Sequence, residues 1–197
     1  MLWIVPGWMI RREYLVLVRN LRLPLPEIPS GESMEWTTLT EAVIPSVLAI
    51  NPALSEAEIR RRWEEEQRCL LCWIKGTLAY YRWETTKPAY LPYLGRTFRP
   101  CQRDIFILEA FTHPAFRGRR IDTIASIVAL NRARDLGCAR SIAMVAWWNA
   151  PALKVSWQKV GRVVIGTVGY WNLGLWRYYF TTGDVGLDES GSVYIQL

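Results

Sequence analysis

The stretch Thr112-His113-Pro114-Ala115-Phe116-Arg117-Gly118-Arg119-Arg120-Ile121-Asp122 sets a glycine among arginines where an apolar run ends and a helical pattern begins. A basic, glycine-containing turn at a helix N-terminus presents unpaired backbone N–H groups at the positive end of the helix dipole, a combination that holds phosphate. For an Arg-Gly-Arg alone, a basic solvated helix start explains the residues as well. Downstream, after the length of one helix and one strand, Asn149-Ala150-Pro151-Ala152-Leu153 leads into a short helix closing on Lys159-Val160-Gly161. One histidine, His113, excludes multi-histidine metal sites and makes any Ser–His or Cys–His mechanism depend on that residue. Cys69 and Cys72 form a Cys-x-x-Cys with no second pair, since Cys101 and Cys138 stand alone. The run around them, RCLLCWIKG, reads as a buried strand in which cysteine acts as a small apolar residue, so no metal site is expected.

The elements that must position these residues follow from pattern. Residues 14–19 are β-prone and lead into a connector punctuated by Pro24, Pro26 and Pro29. A short strand at 35–38 precedes two helices, about 39–49 and 55–66, the second opened by the capping box Ser55…Glu58 and carrying opposite charges four apart, such as Arg60 with Glu64. Residues 67–75 and 77–84 read as a hairpin turning at Lys75-Gly76, and 88–100 as a loop. A strand at 104–112 stops at His113-Pro114. Ile121, Ile124, Ala125, Val128 and Ala129 then recur at helical spacing within 119–136, and Gly137 ends the helix. A strand at 141–148, a helix of about ten residues and two strands, 162–171 and 175–181, complete the order. The pattern is α+β or α/β with mixed pairing.

Together, the basic turn and the Asn149–Gly161 segment resemble the GNAT superfamily of N-acetyltransferases. Its strand-turn-helix reads Val-x-Pro-x-Tyr-Arg-Gly-x-Gly-x-Gly, and its later segment reads Asn, small residue, aromatic, Glu-Lys-x-Gly-Phe. The resemblance covers about 65–182, and 35–66 match the two N-terminal helices of that superfamily less specifically. It implies a mixed, mostly antiparallel twisted sheet of about seven strands, flanked by about four helices and splayed between two central parallel strands. One domain is expected over 1–197, with 1–34 an N-terminal strand and proline-rich extension, 35–182 the core and 183–197 a C-terminal tail.

The resemblance also implies an acyl-CoA co-substrate, acetyl-CoA or another. Phe111 and Thr112 would pair with the pantetheine amides like an added strand. Backbone groups of Arg117, Gly118, Arg119, Arg120, Ile121, Asp122 and Thr123 would cradle the pyrophosphate, while Asn149, Ala152 and Trp157 would meet the cofactor beyond the splay. The later glycines of the motif fall here on Arg120 and Asp122, which crowds the anion and sets a carboxylate near it. The position that often carries an acidic tyrosine is Trp157. Ser156 and Tyr170 are the replacements considered, Glu109 is the candidate base, and His113 is expected to be structural. The acceptor, a small amine, would lie against the N-terminal helices, residues 85–103 and the last hairpin, with Tyr81, Tyr90, Tyr93 and Arg96 as its contacts; residues 85–103 also carry Arg99 and Arg103 and read equally well as an amphipathic flap.

Composition bounds these readings. The 197 residues, 51% hydrophobic and 21% charged, exclude a disordered or low-complexity chain. The 24 basic and 18 acidic residues leave +6, carried mostly by arginine, which suits phosphate or carboxylate partners. No nucleic-acid motif accompanies the charge, and acids interrupt it. The apolar start, MLWIVPGWMI, is broken at Pro6-Gly7 and followed rather than preceded by Arg11-Arg12, so neither a membrane span nor a secretory signal is expected and the protein reads as cytoplasmic, a monomer or homodimer. The expected function is transfer of an acetyl or acyl group from acyl-CoA to an amine by direct attack. Two alternatives stand beside it: an amino-acid N-acyltransferase fed by acyl carrier protein, and a catalytically degenerate binding or regulatory module.

Overall fold

The computed structural model describes residues 9–29 and 33–196; what was read into residues 1–8 lies outside them. The chain forms β1 (Met9–Asn20), β2 (Glu35–Thr38), α1 (Ile44–Ile50), α2 (Glu56–Glu64), β3 (Arg68–Ile74), β4 (Thr77–Thr85), β5 (Ala89–Leu91) and β6 (Arg96–Phe98). It continues through β7 (Asp104–Thr112), α3 (Ile121–Asp135), β8 (Arg140–Ala146), α4 (Ala150–Lys154), β9 (Val163–Leu173), β10 (Trp176–Gly183), β11 (Val185–Leu187) and β12 (Val193–Ile195). Eight strands make one sheet in the order β10-β9-β1-β8-β7-β4-β3-β2, and β11-β12-β6-β5 make a second. The large sheet is therefore eight strands rather than about seven.

Local chemistry accounts for the starts and turns. The Ser55 hydroxyl accepts the Glu58 N–H at 3.1 Å and opens α2 as the capping box requires. Lys75 and Gly76 both have positive φ, 50° and 76°, the geometry of a two-residue hairpin turn whose twist matches its strands. On α2, Arg60 pairs with Glu56 and Glu41 rather than with Glu64. The segment after Asn149 is one α-turn, α4, followed by a π-turn over Val155–Lys159.

The segments outside the expected core are built into the sheets. β1 lies inside the large sheet, antiparallel to both β8 (Tyr14 opposite Ala146) and β9 (Tyr14 opposite Val168). Residues 183–197 supply β11 and β12, and the expected loop 88–100 supplies β5 and β6. Val185, Val193 and Ile195 pack with Leu91, Leu94 and Phe98 against Tyr14, Val16, Val168 and Phe106 of the large sheet. The small sheet thus covers the same face of the large sheet as α1 and α2, which meet Leu71, Tyr81 and Trp83. α3 and the π-turn cover the opposite face, where Tyr80, Ile105, Ile121, Leu130 and Val160 are buried.

The parallel pair of the large sheet sets up the site. β7 and β8 pair from Asp104 opposite Arg140 to Ile107 opposite Ala143, and no further. At the closed end the buried Asp104 carboxylate accepts two hydrogen bonds from Arg140, both 2.8 Å, and a third from the Cys101 N–H at 3.1 Å. Beyond Ile107 the strands part. β7 stays with β4, but Trp83 faces Glu109 while Glu84 faces Ile107, which leaves Leu108 as a bulge. A bulge bends its strand and increases its twist, and here it turns β7 away from β8.

Candidate functional site

Where β7 and β8 part, the edge of β7 from Leu108 to Thr112 that would face β8 carries no strand partner. Such an edge offers N–H and C=O groups to an extended ligand. A cleft of about 570 Å³ leads to it over the start of α3, lined by Phe111, Thr112, Arg117, Gly118, Arg120, Ile121, Asp122 and Thr123, with Asn149 and Ala152 facing them. A second cavity, about 290 Å³, passes through the splay itself and shares Ala110, Asp122, Asn149 and Ala152 with the first. A third, about 270 Å³, lies on the α2 side and shares Tyr93, Leu108 and Glu109 with the second. The three cavities adjoin one another through these shared residues, in order from the basic turn to α2.

The basic turn has left-handed backbone at two positions. Gly118 has φ +80° with open space where a Cβ would stand, and Arg120 takes the left-handed conformation, φ 60°, that a glycine would adopt more readily. That conformation costs a non-glycine residue roughly 1–2 kcal/mol. Arg120 precedes a 15-residue helix whose first-turn N–H groups have no partner within the helix. The Arg117 amide is an exception to the expected cradle, since it donates to the Pro114 carbonyl at 3.2 Å. Its guanidinium donates to the Thr112 carbonyl at 3.3 Å. Asp122 lines the cleft, and its carboxylate accepts from the buried Tyr80 hydroxyl at 3.2 Å. Arg119 stacks on Phe116 outside the cleft lining, and Trp157 is exposed outside it as well. His113 caps the turn after it through Nδ1, which accepts the Ala115 N–H. Asn149 caps α4 by accepting the Ala152 N–H at 3.3 Å.

On the α2 side, Glu109 is held from three directions. Arg62 donates to its Oε2 at 2.8 Å, and Tyr81 and Asn51 reach Oε1 at 2.5 and 3.5 Å. Arg62, on the charge-rich helix α2, is turned inward, with its side chain 12% exposed. Tyr81 is fully buried behind Glu109, and both burial and that hydrogen bond push its phenol well above the usual range. Tyr90 and Tyr93 line the third cavity, with Glu58 and Arg61. Hydrogen bonds from Arg61 and Arg62 hold the Glu58 carboxyl below its ordinary range. Arg96 lies apart, its guanidinium 4.0 Å over the Tyr179 ring. Arg99 pairs with Asp188, and Arg103 donates to the Gly137 carbonyl.

Of the candidate acids, the structure brings Ser156 to the splay cavity but not Tyr170, whose hydroxyl donates to the Tyr93 carbonyl at 3.4 Å within the β9 packing. Tyr14, on β1 opposite the last residue of β8, lines the splay cavity as well, with its ring 4.8 Å from that of Tyr93, which lines it too. Burial pushes the Tyr14 phenol up from its ordinary value, followed by repulsion from Tyr170. Nothing in the local sequence points to Tyr14, because its place at the splay depends on β1 entering the sheet beside β8. The Cys69 and Cys72 thiols are free and buried in β3; burial pushes Cys72 up to about 12.

A parallel pair splayed past a bulge, an anion-suited helix start on one side and an antiparallel sheet around them define a class of fold, that of the GNAT superfamily of N-acetyltransferases, and this chain has it. Solved structures of similar shape include a Drosophila protein, TM-score 0.58 at 9% identity, over 83% of this chain and 50% of that one. A conserved, functionally unknown protein from Staphylococcus epidermidis follows at TM-score 0.55 and 10% identity, over 81% of this chain and 60% of that one. A putative GNAT-family acetyltransferase from Novosphingobium aromaticivorans gives 0.51 and 18%, over 81% and 64%. The chain therefore spans less than two-thirds of the length of each of these proteins. No protein-family profile and no curated protein matches it. Among the described residues no helix is long and apolar enough to cross a membrane.

Proposed function

We propose that the protein binds an acyl-CoA along the splay and transfers its acyl group to the amine of a small acceptor held on the α2 side. The observation that carries this reading is the row of adjoining cavities that share lining residues from the start of α3, along the edge of β7, to the space under α2. The donor is long, flexible and anionic; a helix N-terminus takes its pyrophosphate and a strand edge takes its amides.

In the reaction, the amine nitrogen attacks the thioester carbon, the carbon–sulfur bond breaks, an amide forms, and the amine's proton leaves as the departing thiolate gains one. Glu109 sits where the two inner cavities meet and receives an N–H of the amine. With Arg62 and Tyr81 on its oxygens, it is a fixed carboxylate that orients the amine and accepts its proton for passage to water. Backbone groups of the β7 edge hold the oxyanion. Tyr14, kept protonated by burial, supplies the proton to sulfur.

Calorimetric titration with CoA and acetyl-CoA tests this reading. Binding is expected, weakened about tenfold in Arg117→Ala through the loss of one charge-assisted contact. An inert CoA alongside an active acyl-carrier protein would move the donor to that carrier. Failure of both to bind would leave a non-catalytic module and overturn the proposal.

A further inference from the structure

On the α3 face of the large sheet the splay cavity has a floor carrying two buried arginines. Arg82 of β4 is 2% exposed and Arg162, just before β9, is 4% exposed, and both line the cavity. Each has an Nε with no hydrogen-bond partner among the described residues. A guanidinium brings five N–H donors; here Arg82 donates to the Ser126 hydroxyl at 3.3 Å and also meets the Tyr80 hydroxyl, and Arg162 donates to the Ser141 hydroxyl at 3.4 Å. The Ser126 and Ser156 side chains complete the polar wall.

Ion pairing reaches only one of the two arginines. Arg82 has Glu84 at 3.6 Å, a carboxyl that burial pushes up from its ordinary value. Among the described residues Arg162 has no carboxylate within ion-pair distance; of the two acids that line the cavity, Glu109 is bonded by Arg62 and Tyr81, and Asp122, which accepts from Tyr80, attracts Arg162 without reaching that distance. Burial and the charge of Arg82 together depress the Arg162 guanidinium to about 9. Two desolvated cations facing a cavity are costly unless an anion completes them.

We infer that this floor binds the free carboxylate of a short ω-carboxyacyl group, so that the preferred donor is a dicarboxylic acid joined at one end to CoA. The assignment to the donor follows from the side of the sheet: Arg82, Ser126 and Arg162 lie with the basic turn on the α3 face, whereas the acceptor cavity with Glu109 opens on the α2 face. The inference rests on the proposed acyl-CoA reading and makes a narrower claim.

Calorimetry with three stable probes separates the two: CoA, its S-butyl thioether, and its S-carboxypropyl thioether, which matches the second in chain length and adds a carboxylate. The carboxypropyl probe is expected to bind at least about tenfold more tightly than the butyl probe, the effect of one charge-assisted contact in a buried site. In Arg162→Met that preference should disappear. Equal binding of the two thioethers, or tighter binding of the butyl one, overturns the carboxylate pocket, and CoA binding in the same series leaves the broader reading standing. A preference that survives Arg162→Met overturns the assignment to this floor. If no probe binds, both fall. Should Arg162→Met fail to fold, the comparison of thioethers on the unaltered protein decides by itself.

Discussion

Glu109 and Arg62 form the contact that links α2 to the splay, and a double-mutant cycle measures it without knowledge of any substrate. The two partners differ in what they keep when the other is lost. In Glu109→Gln, Arg62 still has Glu58 at 2.8 Å and the Trp83 ring at 5.5 Å, so a loss of about 1 kcal/mol is expected for a pair that is partly exposed. Arg62→Met removes the bonds to both Glu58 and Glu109, and it leaves Glu109, 29% exposed, with only the neutral donors Tyr81 and Asn51. About 2 kcal/mol is expected there. Because the direct contact is lost only once, the double variant should also cost about 2 kcal/mol, a coupling of about 1 kcal/mol. Urea unfolding resolves a difference of this size. For a chain of 197 residues each kcal/mol lowers Tm by about 2–4 °C. Losses that add to within about 0.3 kcal/mol would show that the pair contributes nothing, and would remove the basis for treating Glu109 as a fixed carboxylate.

Three further outcomes follow from the geometry. Asp104→Asn should destabilise the protein by about 3 kcal/mol in chemical denaturation, since it leaves Arg140 without its partner at the closed end of the β7–β8 pair; a loss within the scatter of surface substitutions would refute the clamp. Tyr14→Phe should lower turnover about 100-fold or more while leaving the affinity for CoA unmoved. Since a proton donor must be protonated and burial raises the Tyr14 phenol above 10.0, activity should persist as pH rises through that value and fall only beyond it; an alkaline limb below pH 9 in the turnover profile would assign it to another group. Cys72, pushed up to about 12, has roughly one thiolate in ten thousand at pH 8, so in the native protein it should resist alkylation and then react fully once unfolded; mass spectrometry reads both states.

What was legible in the chain was local. The Ser55 cap, the Lys75-Gly76 turn, the helical spacing from Ile121 to Ala129 and the basic turn at 117–120 each depend on residues a few positions apart, so short-range chemistry specifies them. Glu109 and Asn149 could be placed at strand ends for the same reason. The pairings of the ends were not legible: β1 reads as any apolar strand, and nothing near Tyr14 says that it lies between β8 and β9. β5 and β6 are three residues each in a proline-bearing stretch, too short to show alternation, and they exist because β12 and the face of the large sheet bury Leu91 and Phe98.

By itself the sequence determined a helix start suited to an anion, a carboxylate on the strand before it, and a chain with too little histidine for most metal and triad chemistry. Tertiary structure decided which groups meet there. It turned Arg62 from a helix surface onto Glu109, brought Tyr14 to the splay and removed Tyr170 from it, and buried Arg82 and Arg162 together on one cavity floor. These juxtapositions join residues 47 to 132 positions apart. They follow from how buried faces stack and how two parallel strands separate past a bulge, which no local pattern of residues encodes.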